Sequence, residues 1–492
     1  MQTMTDLLTY AEVRRRARVR EEYHRRVARL PEPLPTAEEA QWPTPAIIRA
    51  LQSALRLAAS GQALGIRHGL RFLSLEYLQL QTGELSEDLL ARQQSTLIEA
   101  PPLEEQVPLP QVSARLAAER KRVVRELLED ATTTVIGGYH QAYRGLWSRL
   151  FGVAESLGYP NLSALWEELS GVDLDAFLKR LEAILRETEY TYRDTMQWYL
   201  KRVFGIQLEA AKRHDILALF GMGLQETASW FPRVDLIPCL EQWLSDWGWK
   251  IEDHPNVRVE HHAALAGGAW CAPFDIPADI RLALAPIAGM RGFAQAFREA
   301  GKALLLAAFP AEAPSELRCF PDPSLLEAQA EVFGGLMRAR RWLAIQRQIH
   351  QPADVLRLAH LERLFIVRRY IGKCLYERTL YEDAALDGID EVYRDALRRA
   401  CGFSYPPAYC LHDVEPGFAT LWQVRGWMLS AHLRRQLQQQ YPDEWFREPE
   451  ALEAWRELWS RSPSHTVEAL AERVGGSMAD VTPVVDDLLS EL

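Results

Sequence analysis

A chain of 492 residues, 48% hydrophobic and 25% charged, is long enough for two or three domain-sized units around a large core. A formal net charge of -11 argues against non-specific nucleic-acid binding as the main task. No apolar run reaches the length of a membrane span, and the arginine-rich N-terminus, with Asp6 and Glu12, has no signal-peptide core. The six cysteines (Cys239, Cys271, Cys319, Cys374, Cys401, Cys410) form no C-x-x-C pair and read as reduced structural thiols of a cytoplasmic protein.

Helical periodicity dominates in chain order. Residues 4–30 predict an amphipathic helix that stops at the proline-rich run 31–35. Helices resume over about 45–100, and prolines at 101, 102, 108 and 110 mark a second break. Long helices are expected over about 112–156, 161–170, 173–203 and 206–219. Between about 255 and 288 the pattern shifts to short strands at 257–260, 269–274 and 280–287. Beyond that the chain returns to helix until its end. There is no internal repeat and no low-complexity tract.

Several conspicuous residues have plain explanations. Arg14, Arg15, Arg16, Arg18 and Arg20 form a basic run, but Glu21 and Glu22 follow it closely, so a solvated helix face explains it better than an anionic partner. His261 and His262 are adjacent on a predicted strand and point to opposite faces, a poor start for a metal site. His412-Asp413 has no nucleophile motif to serve, so capping or packing is its expected role. The fifteen tryptophans, among them Trp243, Trp247, Trp249, Trp455 and Trp459, are expected in the core and in groove walls.

The most informative stretch is Phe297-Arg298-Glu299-Ala300-Gly301-Lys302, inside a helix expected over 292–309 that is apolar nearly all round. It reads as H-E-x-x-H with both histidines replaced. A zinc-peptidase helix needs two imidazoles four residues apart and a glutamate that activates water. Only Glu299 survives, because the side chains of Arg298 and Lys302 are cations with no lone pair for a metal. Ahead of it lie Ala269-Trp270-Cys271-Ala272-Pro273-Phe274-Asp275-Ile276-Pro277 and Ile280-Arg281-Leu282-Ala283-Leu284-Ala285-Pro286. Leu157-Gly158-Tyr159-Pro160-Asn161, Tyr370-Ile371-Gly372-Lys373 and Val414-Glu415-Pro416-Gly417-Phe418 complete the set.

In order and spacing these blocks resemble the oligoendopeptidase F and thimet oligopeptidase family of zinc peptidases, over most of the chain. The resemblance implies a mainly α, zincin-like fold: two helical lobes around a deep cleft, with a small antiparallel sheet beside the active-site helix. It places an N-terminal helical lobe at 1–205 and a peptidase-like lobe at 206–492. The second lobe would hold the sheet at about 255–288, the former metal-site helix at 292–309 and closing helices at 325–492. It makes Glu327 the counterpart of the third zinc ligand. Gly417, Ala419 and Gln423 stand where the family carries groups that orient substrate and stabilise the oxyanion. Residues 269–274 (Ala269, Trp270, Cys271, Ala272, Pro273, Phe274) correspond to the strand that pairs with an extended peptide.

The family would use zinc, whereas this chain, with Arg298 and Lys302 in the ligand positions, is expected to bind none. Those cations are expected to pair with Glu299 and Glu327. The implied function is a catalytically inactive oligopeptidase-like protein, with Glu299 as a relic general base and a peptide or protein segment in its cleft. Two alternatives are a scaffold or regulatory subunit with an unused cleft, and an active metallopeptidase with a rebuilt metal site.

Overall fold

The computed structural model describes residues 4–27, 43–101, 106–225, 227–265, 267–442 and 444–492; the predicted break at 31–35 and part of the break after Pro101 lie outside them. Helices make up most of the described chain. Its backbone groups into two compact units, each assembled from separated segments. One comprises Met1–Ser74, Glu226–Leu356 and Trp422–Asp487; the other comprises Leu75–Gln225, Arg357–Leu421 and Leu488–Leu492. This interleaving differs in kind from a single sequential break near residue 205.

The first unit carries the small sheet. Its elements are α1 (Met4–Arg26), α2 (Leu236–Asp246), β1 (Val257–His261), β2 (Ala269–Asp275), β3 (Asp279–Leu284), α3 (Gly289–Ala307), α4 (Pro323–Gly334) and, from Trp422 onward, α5 (Ala419–Gln440). The strand order is β1-β3-β2. β2 and β3 form the expected antiparallel hairpin, with Cys271 opposite Leu282. β1 adds to the other side of β3 in parallel, with Val257 opposite Ile280, so the hairpin becomes a mixed three-stranded sheet.

α3 is the helix that carries the Phe297–Lys302 stretch. It ends at Ala307 rather than at Phe309, consistent with Pro310, which disfavours a helical residue before it. One side packs on β2 and β3, and another packs along α4. Phe293, Phe297, Ala300, Leu304 and Leu305 are buried, and Phe297 stacks on Trp243 at 5.1 Å. Burying each large apolar side chain contributes about 1.5–3 kcal/mol, enough to anchor this helix whatever its charged residues do. Trp243, Trp247, Trp249, Trp455 and Trp459 all lie in the core of this unit.

The second unit is helical, apart from a two-stranded antiparallel pair, Leu97–Ile98 with Val107–Pro108, where the sequence pattern had predicted the end of a helix. Its boundaries follow capping chemistry. Asn161 and Asp173 cap the helices Leu162–Ser170 and Leu174–Phe204 by accepting from backbone N–H groups, and Gly171 and Gly205 close those helices at φ of 67° and 69°. A cluster of Trp147, Trp166 and Phe418 around Tyr381 fills the interior.

Gly426 on α5 sets how closely α5 and α4 approach. A Cβ there would lie 2.6 Å from the Ser324 carbonyl oxygen and 2.6 Å from the Glu327 Cβ. We expect Gly426→Ala to destabilise the protein by about 1–3 kcal/mol through overpacking, although alanine favours a helix interior by about 1 kcal/mol. Urea melts measure this, and a gain in stability would contradict the close approach.

Candidate functional site

Four residues singled out from the sequence, Arg298, Glu299, Lys302 and Glu327, meet between α3 and α4. Helical spacing is the reason: Arg298 and Lys302 are four apart on α3, and Glu327 is four before Glu331 on α4, so two cations face two carboxylates. Arg298 donates from Nη2 to Glu327 Oε2 at 2.6 Å and from Nη1 to Glu331 Oε2 at 2.6 Å. Lys302 Nζ lies 3.0 Å from Glu299 Oε1 and 3.4 Å from Glu327 Oε1. Arg338 donates to the other oxygen of Glu331 at 2.5 Å. Three cations thus interlock with three carboxylates, and Arg434 Nη1 approaches Glu331 Oε1 at 3.9 Å as a fourth.

Glu331 was not among the residues read from the sequence, although its spacing from Glu327 carried the signal. It is the most enclosed carboxylate of the set, with 3% of its side chain exposed. Burial disfavours the charges on Arg298 and Lys302, but the surrounding carboxylates outweigh it and hold both above their ordinary values. Both remain cationic across the physiological range.

Glu299 is held from two sides. Its Oε2 accepts from the Cys271 backbone N–H at 3.0 Å, and its Oε1 accepts from Lys302 and from Gln295 at 3.3 Å. A general base must take a proton from water, and Glu299 already accepts three hydrogen bonds, one of them from the Lys302 ammonium, which disfavours its protonation. Glu327 is in the same position, with one oxygen on Arg298 and the other on Lys302. The residues do not fit zinc: of the positions that the resemblance makes zinc ligands, Arg298 and Lys302 have no lone pair to offer, and Glu327 is paired with both of them. At an effective dielectric near 20, each cation would also repel a dication about 4 Å away by roughly 8 kcal/mol. Among the described residues no group of three or more His, Cys, Asp or Glu is placed to hold a metal ion.

Residues 269–274 lie on β2, an edge strand of the sheet. Its outer edge is already engaged. The Cys271 N–H is held by Glu299, Pro273 has no N–H, and the Pro273 carbonyl accepts from Arg15 Nη1 at 2.8 Å. Trp270, Ala272 and Phe274 pack with Tyr23 of α1. The basic run on α1 is therefore not simply a solvated face. Arg15 is buried, and Arg16 pairs with Asp275 at 2.7 Å, because the edge carbonyl and carboxylate need donors.

The remaining positions do not join this cluster in one unit. Gly417 and Ala419 belong to the second unit and Gln423 to the first. Gly417, at φ 111°, and Phe418, at φ 54°, make the left-handed turn that opens α5, with the Phe418 ring 5.1 Å from that of Tyr381. Ala419 and Gln423 present no phenol. His261 ends β1, and His262 lies 3.3 Å from the Tyr23 hydroxyl. Asp413 accepts from Arg369 and Tyr393, a structural role.

The helical units and the sheet against α3 define a mainly α, peptidase-like fold. Among solved structures the chain is similar to the crystal structure of a "putative peptidase from Chlamydophila abortus", with a TM-score of 0.62, 11% identity, and coverage of 93% of this chain and 82% of that one. Identity that low speaks to fold alone. No protein-family model and no curated protein matches the sequence.

Lys302 supplies the next expectation. Replacing it with alanine leaves Glu299 with only neutral donors, and we expect Lys302→Ala to cost about 3 kcal/mol, against under about 1 for a solvated pair. Its raised pKa gives a sign. The contribution is complete below the ordinary lysine value of 10.5 and fades as pH rises through the higher folded value. Denaturant melts of the two proteins should differ by a constant amount from pH 6 to 9 and converge in stronger alkali; a difference that disappears at neutral pH would contradict the pairing.

Proposed function

We propose that this protein is a catalytically inactive member of the oligopeptidase fold that engages a peptide or protein segment without cutting it. The observation that carries the reading is the ion-pair lattice in the metal position. Arg298, Lys302, Glu327 and Glu299 satisfy one another, and neither a Lewis acid nor a free base is left among them. The family's activity needs both. The loss is compounded at Ala419 and Gln423, which by the resemblance stand where oxyanion-stabilising hydroxyls belong.

A second reading is favoured by one specific observation. The Glu299–Cys271 and Arg15–Pro273 hydrogen bonds occupy the edge of β2 where an extended peptide would pair, so such a peptide must displace both. A scaffold or regulatory subunit that contacts its partner elsewhere needs no such displacement. Hydrogen exchange separates the two: slowed exchange of the β2 amides with a peptide pool supports peptide pairing, and unchanged β2 exchange with protection elsewhere supports the scaffold.

Inactivity is tested by incubating the protein with mixed oligopeptides and added zinc. We expect no cleavage; zinc-dependent, chelator-sensitive cleavage would overturn the reading. The double variant Arg298→His with Lys302→His recreates a three-ligand set with Glu327 and should regain zinc binding in part. Turnover should stay absent, since each missing oxyanion donor costs about a hundred- to a thousand-fold in rate. Failure of the variant to take up zinc would show that α3 is not a former metal helix. Brisk cleavage by it would show that the hydroxyls come from other residues.

A further inference from the structure

The second unit contains a partly open cavity of about 380 Å³, lined by charged, phenolic and apolar side chains, that the proposed function does not use. It lies within the size range of small-molecule sites. Arg213, Arg369, Tyr370, Tyr405, Tyr409 and His412 line it, together with Phe365 and Asp413. Arg369 stands between two aromatic rings, its guanidinium carbon 5.9 Å from the Tyr370 centroid and 5.6 Å from that of Tyr405. Its Nη2 takes both oxygens of Asp413 at 2.6 Å. Its Nε and Nη1 have no partner among the described residues.

The neighbouring arginine shows what a purely structural guanidinium looks like here. Arg368 spends every nitrogen: Nε on the Ala400 carbonyl at 2.8 Å, Nη1 on the Leu185 carbonyl and the Thr188 hydroxyl at 2.7 Å each, and Nη2 on Glu189. Arg369, one residue on, leaves half of its donor fork open beside the cavity. With 21% of the Arg369 side chain exposed, these donors are open to the solvent of the cavity, and an open fork flanked by aromatic rings matches a planar anion.

Charge sets the valence of that anion. Arg213, Arg369 and Lys373 face Glu129 and Asp413, through Arg213–Glu129 at 2.8 Å, Arg369–Asp413 at 2.6 Å and Lys373–Asp413 at 3.5 Å. His412 is kept neutral because burial lowers its pKa. Three cations against these two carboxylates leave at most one positive charge, because Glu377, whose carboxyl burial pushes up to about 7, also acts on Lys373. A second chamber of about 310 Å³ shares Ser113, Arg213, Tyr409 and His412 with the first and continues between apolar side chains, including Leu109 and Ile136.

We propose that this cavity binds a small carboxylate with an aromatic or apolar body, its carboxylate on the open edge of Arg369 and its body directed toward the second chamber. The proposal is independent of the peptide-binding reading, since every residue it uses lies in the second unit. The same chemistry belongs to a free aromatic acid and to the C-terminal residue of a peptide. Titration calorimetry of the full chain with N-acetylphenylalanine, N-acetylphenylalanine amide and N-acetyl-Ala-Ala-Phe distinguishes them.

We expect the amide to bind at least tenfold more weakly than the acid, since about 1.4 kcal/mol per tenfold is within reach of one charge-assisted contact. A tripeptide that binds more tightly than the single residue identifies a peptide C-terminus as the source, and one that binds more weakly identifies a free acid. Arg369→Gln should remove the preference for acid over amide. Leu217→Trp, which fills the cavity from its wall and leaves Arg369 in place, should abolish binding while near-ultraviolet circular dichroism stays native. Equal affinity for acid and amide in the unaltered protein, binding that survives both substitutions, or no saturation by either carboxylate at about 10 mM would overturn the proposal.

Discussion

The ion-pair lattice between α3 and α4 is the constraint on which the local architecture rests. Two helices packed this tightly have little room for an unpaired charge, and Gly301, whose added Cβ would meet the Gln329 carbonyl oxygen and the Phe333 ring at 3.0 Å, shows how close the approach is. Arg298 forks across Glu327 and Glu331, Lys302 bridges Glu299 and Glu327, and Arg338 caps the set. Removing any one member leaves an opposite charge poorly solvated, so the set is stable only as a whole. In a zinc peptidase a dication would hold such carboxylates in place. Here guanidinium and ammonium groups carried by the chain do so.

The lattice also reaches the sheet. Because Glu299 is fixed by Lys302 on one oxygen, its other oxygen is positioned for the Cys271 N–H, and α3 is tied to the edge of β2. α1 completes the closure through Arg15 and Tyr23. Glu299, the edge strand and the N-terminal helix therefore form one connected structure. Function, if it involves this edge, must begin by breaking hydrogen bonds that hold the unit together.

Much of this was legible in the sequence, for identifiable reasons. α3 announced itself because its apolar residues surround the motif on nearly every side, and the strands of the sheet because alternation replaced the helical period. Four-residue spacing put Arg298 and Lys302 on one helix face, and the resemblance supplied Glu327 as the carboxylate expected, with Glu299, to pair with them. Glu331 was equally readable by that rule and was missed. What sequence could not give depends on contacts between distant segments: the seat of α1 on β2, 258 residues apart at Arg15 and Pro273, and the interleaving of the two units. The second-unit cavity is of the same kind, since Ser113, Arg213, Phe365 and Tyr409 meet only in the fold. The parallel addition of β1 was also hidden, because a short amphipathic strand carries no mark of its partner's direction.

The central claim is that cations of the chain occupy the place of the metal, and the zinc-edge anomalous difference map of crystals soaked in excess zinc tests it most directly. The account requires continuous side-chain density from Arg298 and Lys302 to Glu327, Glu331 and Glu299, with no anomalous peak among them. An anomalous peak bonded to Glu327, with Arg298 and Lys302 swung away, would contradict it.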